Sequence, residues 1–364
     1  MNGRRAVFPA MTPSRWSLTA VLVVLVAAFP LVYTGQYLLT VIVTTLVVLV
    51  LNTSWNFILG VAGVWNFGQL ALYALGGYGA GILMLHTPLP PWLAVLGGGG
   101  IGAAAAVLLA FPTLRLYGIY TSLLTFAFAE VVQYLIVNDG SGLTGGTFGF
   151  PIAPGLYSSL SPLASLRAYY WTILGVVVVS TVGLAAIGSS RFGIALRTVR
   201  DAPAYAAARG VSPLRCRVLA FAISGFLAGI AGALYLSVNQ SISPSVMGLT
   251  PMSIDVTMLV IGGLGTVYGP LIGTALLAVV QTLLVSHPGI ELTILGTFLL
   301  IVVVFAPNGV VGLITRWQRR IAAWVTADAG PQPAAAAEAQ ATAGAGAEPA
   351  AGAASGRDAI TGTG

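Results

Sequence analysis

Charge is what this chain has least of: Asp, Glu, Lys and Arg make up 7% of its 364 residues, where a soluble domain carries roughly 25%. So little charge cannot cover a water-facing surface, which excludes an ordinary soluble fold and leaves lipid as the solvent. Lysine is missing altogether, and all 15 basic residues are arginine. A Walker-type phosphate loop needs its lysine, so any ATP that drives this protein binds another chain. A single cysteine, Cys216, excludes an internal disulfide, and with only two histidines there is little from which to build a zinc site. No metal and no cofactor are expected. His86 and His287 fall in short turns with no acid paired to them, so a catalytic set is lacking and no enzyme is expected.

What is present is apolar: 57% hydrophobic residues and 46 glycines, with a mean hydropathy of +0.94. The apolar runs are continuous rather than alternating, which favours membrane-spanning helices over a β-barrel. Glycine fits that choice, because small residues let helices approach closely in lipid. The net charge of +6 is carried by arginines lying between the runs, as the positive-inside rule expects. Nucleic-acid binding is therefore not expected.

Arg4, Arg5 and Arg15 precede a run over 17–33, read as an uncleaved first helix because many more follow. Further runs cover 37–59, 67–85, 92–111, 118–137, 170–187 and 217–238, each about the length that crosses a hydrocarbon core. The stretch 252–285 is too long for one span and is interrupted at Gly262, Gly263, Gly265, Gly269 and Pro270; a last run covers 290–305. Arginine dominates 191–217 and returns at Arg316, Arg319 and Arg320, which places both segments in the cytoplasm.

Two cytoplasmic ends require an even number of crossings between them, so the interrupted stretch crosses twice or forms a re-entrant hairpin. Two crossings give an all-α polytopic protein of about ten transmembrane helices with both termini cytoplasmic; the hairpin gives about eight. The expected organisation is a cytoplasmic N-terminus (1–16), a transmembrane domain (17–312), a cytoplasmic basic segment (313–328) and a disordered Ala/Gly-rich tail (329–364). Within the transmembrane domain lie a cytoplasmic loop at 188–216 and an external loop at 138–169. The external loop is either a dock for an outside partner or a plain connection.

The segment from Arg191 to Arg217 is patterned beyond the needs of a connector. Helix formers occupy 192–200, Asp201 can cap a second helix, Pro203 suits its first turn, and Gly210 suits its end. Two short helices with a bend, an alanine face at Ala204 and Ala206–Ala208, and flanking arginines suit insertion into a groove on another protein. An amphipathic loop lying on anionic headgroups is the competing reading.

Polar residues inside the apolar runs are candidates for a solute path: Asn66, Gln69, Thr125, Glu130 and Asp255, with Asn52, Asn56 and Gln133 beside them. Hydrogen bonding between helices competes for Asn66 and Gln69, snorkelling for Glu130, and helix capping for Asp255. The glycine pieces at 76–81 and 262–269 lie inside apolar runs and lack flanking basic residues. They suit tight helix crossing and local unwinding rather than phosphate binding, and Gly63 and Gly68 extend the first.

Taken together, Phe192 and Gly193, Ala195 to Arg197, Arg200 and Asp201, and Ala207 and Gly210 resemble the cytoplasmic loop of the permeases of branched-chain amino acid ABC importers, the M-type family in particular. Four further blocks resemble the same family in order: Gly60, Gly63, Gly68, Gly76 and Tyr78; Leu114 to Tyr120 with Thr125, Phe126, Ala127 and Glu130; Leu143 to Gly146; and Ser243 and Pro244, Ser253 to Asp255 and Gly262 to Pro270, closed by Pro307, Gly309 and Gly312. Asn66 and Gln69 stand where serine and histidine are more usual, and Pro203 departs from an acidic residue. The resemblance implies a non-catalytic subunit of a bacterial cytoplasmic membrane importer, whose loop docks on the ATPase. The implied partners are a second permease subunit, two ATP-binding subunits, an external or lipid-anchored solute-binding protein and membrane lipid. The implied solutes are branched-chain amino acids, or urea and short amides in close relatives. The competing class is an ion-coupled secondary transporter, with Glu130 and Asp255 as its coupling groups.

Overall fold

Prolines open four of the helices. Pro91, Pro162, Pro203 and Pro213 each stand at a helix start, where the missing N–H would have had no intrahelical partner. The computed structural model describes residues 35–116, 118–150 and 155–284, with Pro30 and a few positions between 293 and 312. The runs expected at 17–33 and 290–305, His287 and everything beyond 312 lie outside the described residues or at their margin. A second unit, Ile314–Gly364, lies wholly outside them.

The described elements are helical, in this order: α1 Gln36–Asn56, running on as a π-turn Phe57–Val61; α2 Gln69–His86; α3 Pro91–Thr113; α4 Ile119–Val137; α5 Pro162–Ser189; α6 Arg191–Asp201; α7 Pro203–Ala208; α8 Pro213–Asn239; α9 Leu249–Gly262; and α10 Gly269–Leu284. Among the described residues, the strand-like pairing is one isolated bridge, Phe150 to Ile242. Gln36–Val61, Pro91–Thr113, Ile119–Val137, Pro162–Ser189 and Pro213–Asn239 are long and apolar enough to cross a membrane. The chain is an all-α, multi-pass membrane protein.

α8 is the hub, packed against α1, α2 and α3. It approaches α2 and α3 at backbone distance because glycines face one another. A Cβ on Gly76 would strike the Gly229 backbone, and one on Gly102 would lie 2.5 Å from the Gly225 carbonyl oxygen. The expected role of the 76–81 glycines divides accordingly: they permit tight crossing, while α2 itself stays unbroken.

The unwinding falls elsewhere. α1 widens into its π-turn before Gly63, which takes φ 70°, and the chain between α9 and α10 turns at Gly263 (φ 109°) and Gly265 (φ 75°). These two breaks touch, since a Cβ on Gly60 would overlap the Gly265 backbone. α9 and α10 pack antiparallel, with Gly262 against Gly269 and Gly273 against Met258.

The same contacts sort the helix ends into two groups. At one end lie the α1 π-turn, the α3–α4 turn, α6 and α7, the start of α8 and the α9–α10 turn, joined through Gly60 and Gly265, Gly63 and Arg200, and the cleft that Gly63, Thr113, Gly118 and Arg217 line. At the other lie the α4–α5 loop and the end of α8, joined by Phe150–Ile242, by Gln133 Nε2 to Pro244 O at 3.4 Å and by Tyr169 OH to Ser237 O at 2.8 Å. Arg115, Arg191, Arg197, Arg200, Arg209, Arg215 and Arg217 belong to the first end; Arg167 belongs to the second.

Candidate functional site

α6 and α7 form the expected pair of short helices with a bend. Ser190 caps α6 by accepting from Gly193 N at 3.4 Å, and Gly193 has no room for a Cβ against the Gly188 carbonyl. Arg197 returns to the end of α5, donating from Nη2 to Gly188 O at 2.5 Å and from Nε to Gly193 O at 3.2 Å. A cation there meets the carbonyl-rich end of a helix, where its charge is favoured. Leu196 and Val199 are buried, and Phe192 and Ala195 are half-buried against the core. This one-sided burial anchors α6.

α7 is held more lightly. Ala206 is its buried residue, while Ala204, Tyr205, Ala207 and Ala208 face outward. The Arg209 guanidinium lies 5.3 Å from the centre of the Tyr205 ring. Gly210 ends the helix at φ 79°, and Val211 N donates to Ala206 O at 3.0 Å. Asp201 does not cap α7: it is the last residue of α6, and Ala202 occupies the cap position. The carboxylate instead takes two bonds from Arg200, Nε to Oδ1 at 2.8 Å and Nη2 to Oδ2 at 3.2 Å. That fork of the guanidinium leaves Nη1 free to point elsewhere, and it donates to Gly60 O at 2.7 Å.

The intramembrane polar residues fall into three groups. Asn66 and Gln69 are fully buried and close a network: Asn66 Nδ2 donates to Gln69 Oε1 at 2.9 Å, and Gln69 Nε2 donates to Ser54 Oγ and Ser224 Oγ, both at 3.0 Å. Gly68 N donates to Asn66 Oδ1 at 3.0 Å, and Thr125 Oγ1 accepts from Phe67 N at 3.0 Å. The result ties α1, α2, α4 and α8 around the start of α2, with hydrogen-bonding capacity met inside the protein as hydrocarbon demands.

The second group lies between α1, α9 and α10. Asn52 Nδ2 donates to Thr274 Oγ1 at 3.0 Å and reaches Met258 Sδ at 3.3 Å. Asp255 is buried beside it, well inside α9 rather than at its cap. One turn along, Asn56 grips the α9–α10 break: Oδ1 accepts from Gly265 N and Nδ2 donates to Thr266 O, each at 2.8 Å. Asn56 thus acts as a short length of backbone pairing with another. Sequence reading marked Asn52 and Asn56 as polar residues in a span but gave no partner for either.

Glu130 stands apart from both. It is exposed on α4, on a face shared with Leu123, Val131 and Tyr134, each more than half exposed. Gln133, one turn on, is turned toward Pro244. At the opposite end of the molecule from α7, Asp139 organises the loop after α4, accepting from Ser141 N at 2.9 Å, Thr144 N at 2.7 Å and Thr144 Oγ1 at 2.8 Å. These bonds, with that from Ser141 Oγ, hold its carboxyl well below the usual carboxylate range. Phe148 projects from the same loop, 98% exposed.

Among the described residues no cluster of three or more His, Cys, Asp or Glu side chains could hold a metal. The arrangement offers instead an exposed, lightly held bend, connected through Arg200 to two broken helices.

Residues 36–307 match the family model described as branched-chain amino acid transport system, permease component. The high-affinity branched-chain amino acid transport system permease protein LivM of Salmonella typhimurium is 26% identical over 348 residues, covering 88% of this chain and 81% of that one. LivM of Escherichia coli is 25% identical over 347 residues with the same coverage. A probable branched-chain amino acid transport permease protein, LivH, of Methanocaldococcus jannaschii is 26% identical over 291 residues, covering 76% of this chain and 91% of that one. No solved structure matches the chain significantly.

Proposed function

Because the chain belongs to the family of branched-chain amino acid transport system permease components, we propose that it is the membrane-spanning subunit of an ATP-driven importer of branched-chain amino acids. ATP is hydrolysed on two separate subunits, and an external or lipid-anchored binding protein delivers the solute to this chain and a second permease subunit. The importer sits in a bacterial cytoplasmic membrane. Urea or a short amide is the alternative solute class.

The observation that carries this reading is the α6–α7 bend. A helix anchored by Ala206 alone, with Ala204, Ala207 and Ala208 turned outward, presents a small, smooth ridge that an ATPase groove can grip. Phe192, Gly193, Arg197, Arg200 and Asp201 fasten that ridge to the membrane helices, and Gly210 returns the chain to α8. Seven described arginines at this end against one at the other support a cytoplasmic position for it.

With that orientation the described helices α1 to α5 and α8 to α10 alternate in direction, and the runs at 17–33 and 290–305 bring the count to ten with both termini inside. α9 and α10 are short crossings, about 21 and 24 Å long at 1.5 Å per residue against a core of about 30 Å; their glycine turn reaches the level of Arg200 through Gly60. For the solute path, Glu130 and Asp255 are the charged candidates. A path role for Asn66, Gln69 and Thr125 requires their network to part when access alternates.

Deleting Asp201 to Ala207 tests the coupling role. The deleted chain should still insert, yet solute-stimulated ATP hydrolysis should disappear; undiminished stimulation contradicts the proposal.

A further inference from the structure

Arg200 bonds both within the α6–α7 bend and to a broken transmembrane helix. Its Nε and Nη2 are held by Asp201, and its Nη1 reaches the carbonyl of Gly60, 140 residues away. The carbonyl is available because the π-turn displaces the backbone pattern: Val64 N, which would ordinarily serve Gly60, donates to Ile58 O at 3.1 Å. The stem of Arg200 lies in the space a Cβ of Gly63 would need, and Gly63 holds φ 70°. Gly60 in turn abuts Gly265, whose N–H is held by Asn56.

Stability does not account for this arrangement. The Arg200 side chain is 35% exposed and that of Asp201 63%, and an ion pair in such a setting adds little to folding. What the arrangement does is mechanical: one guanidinium spans the bend, the α1 break and, through the contact of Gly60 with Gly265, the α9–α10 break.

We propose that Arg200 is the positioning residue through which movement of the α6–α7 bend reaches the two helix breaks, so that the breaks at Gly60–Gly63 and Gly263–Thr266 shift together when the bend is pushed. Asp201 aims the guanidinium, and Gly63 leaves room for its stem. The proposal rests on the reading of the bend as an ATPase-coupling element.

The test uses the full transporter in proteoliposomes, with spin labels at Ala208 in the bend and Val267 in the α9–α10 turn, and leucine moved per ATP hydrolysed as the second readout. In the unmodified protein both labels should shift on ATP binding. In Arg200→Ala the Ala208 label should still shift while the Val267 label stays, and leucine moved per ATP should fall by about fivefold or more, within the usual range of a coupling energy. Arg200→Lys, which retains one donor for Gly60, should recover part of the loss. If Arg200→Ala does not assemble, Asp201→Asn carries the test, with an intermediate loss expected. A Val267 label that moves as before in the variant, or an unchanged yield per ATP, overturns the proposal. If the Ala208 label fails to respond to ATP in the unmodified transporter, the coupling reading itself fails, and the proposal falls with it.

Discussion

Gly76 and Gly229 stand backbone to backbone where α2 crosses α8, so close that a Cβ on Gly76 would overlap Gly229 itself. In lipid no hydrophobic force draws two apolar helices together, and their association depends on such close packing. Gly229→Val should therefore loosen the crossing and destabilise the protein by about 1–3 kcal/mol, the cost of overpacking. Gly100→Ala on α3, where no atom lies within 4 Å of the added methyl, should be neutral. Thermal unfolding in detergent distinguishes them, and equal shifts would contradict the role given to the crossing.

The buried network around Gln69 makes a different prediction. Gln69→Leu leaves the Asn66 amide without its acceptor and Ser54 and Ser224 without their shared donor. The expected loss is about 1–3 kcal/mol, the cost of orphaned buried polar groups. Ser224→Ala removes one acceptor of Gln69 and the bond that Ser224 Oγ donates to Ser54 O at 2.9 Å, and leaves Gln69 its bond to Ser54 Oγ, so about 1.2 kcal/mol is expected, at about 0.6 kcal/mol for each hydrogen bond between membrane helices. Denaturation in a mixed detergent series measures both.

How much of this was legible beforehand depends on the kind of information required. The apolar runs announced themselves, because crossing a hydrocarbon core demands an uninterrupted stretch: 217–238 was expected where Pro213–Asn239 is found, and 118–137 where Ile119–Val137 is found. The break near Gly262 was equally plain from its glycines. Pairings were not. Nothing local ties Arg200 to Gly60 or Asn56 to Gly265, since each contact joins positions more than a hundred residues apart and depends on how helices cross. Asp201 misled for a related reason: an aspartate before a proline reads as a cap, but its neighbour Arg200 claims the carboxylate first. The five sequence candidates for a path scattered into a closed network, a buried site beside Asn52 and one exposed glutamate, because an apolar run does not reveal which side of a helix meets lipid.

Asp139 gives a pH dependence with a definite sign. Its folded-state carboxyl is held below the ordinary value by bonds from Ser141 and Thr144, so its contribution to the loop is present above the unfolded value, about 3.9. That contribution is lost as pH falls through the lower folded value. Hydrogen exchange at Ser141 and Thr144 should stay protected from neutral pH down to about pH 4, and weaken only in stronger acid. Asp139→Ala should remove the protection at every pH.

Gly210 separates backbone conformation from space. At φ 79° with no atom within 4 Å of an added methyl, a substitution there meets strain and no collision. Gly210→Val should cost about 1–2 kcal/mol locally for the left-handed backbone and reduce solute-stimulated ATP hydrolysis. Gly210→Asn, which tolerates that conformation, should retain most of it. Equal activity in the two variants would remove the argument that the turn into α8 must keep its shape.

The most direct test of ATP-driven import is leucine uptake into proteoliposomes. Accumulation should require this chain, a second permease subunit, the ATP-binding subunits supplied with ATP, and the binding protein on the opposite face, and it should survive an uncoupler. Accumulation by this chain alone that collapses when the ion gradient is dissipated would contradict the account and make Glu130 and Asp255 the coupling groups of a secondary transporter.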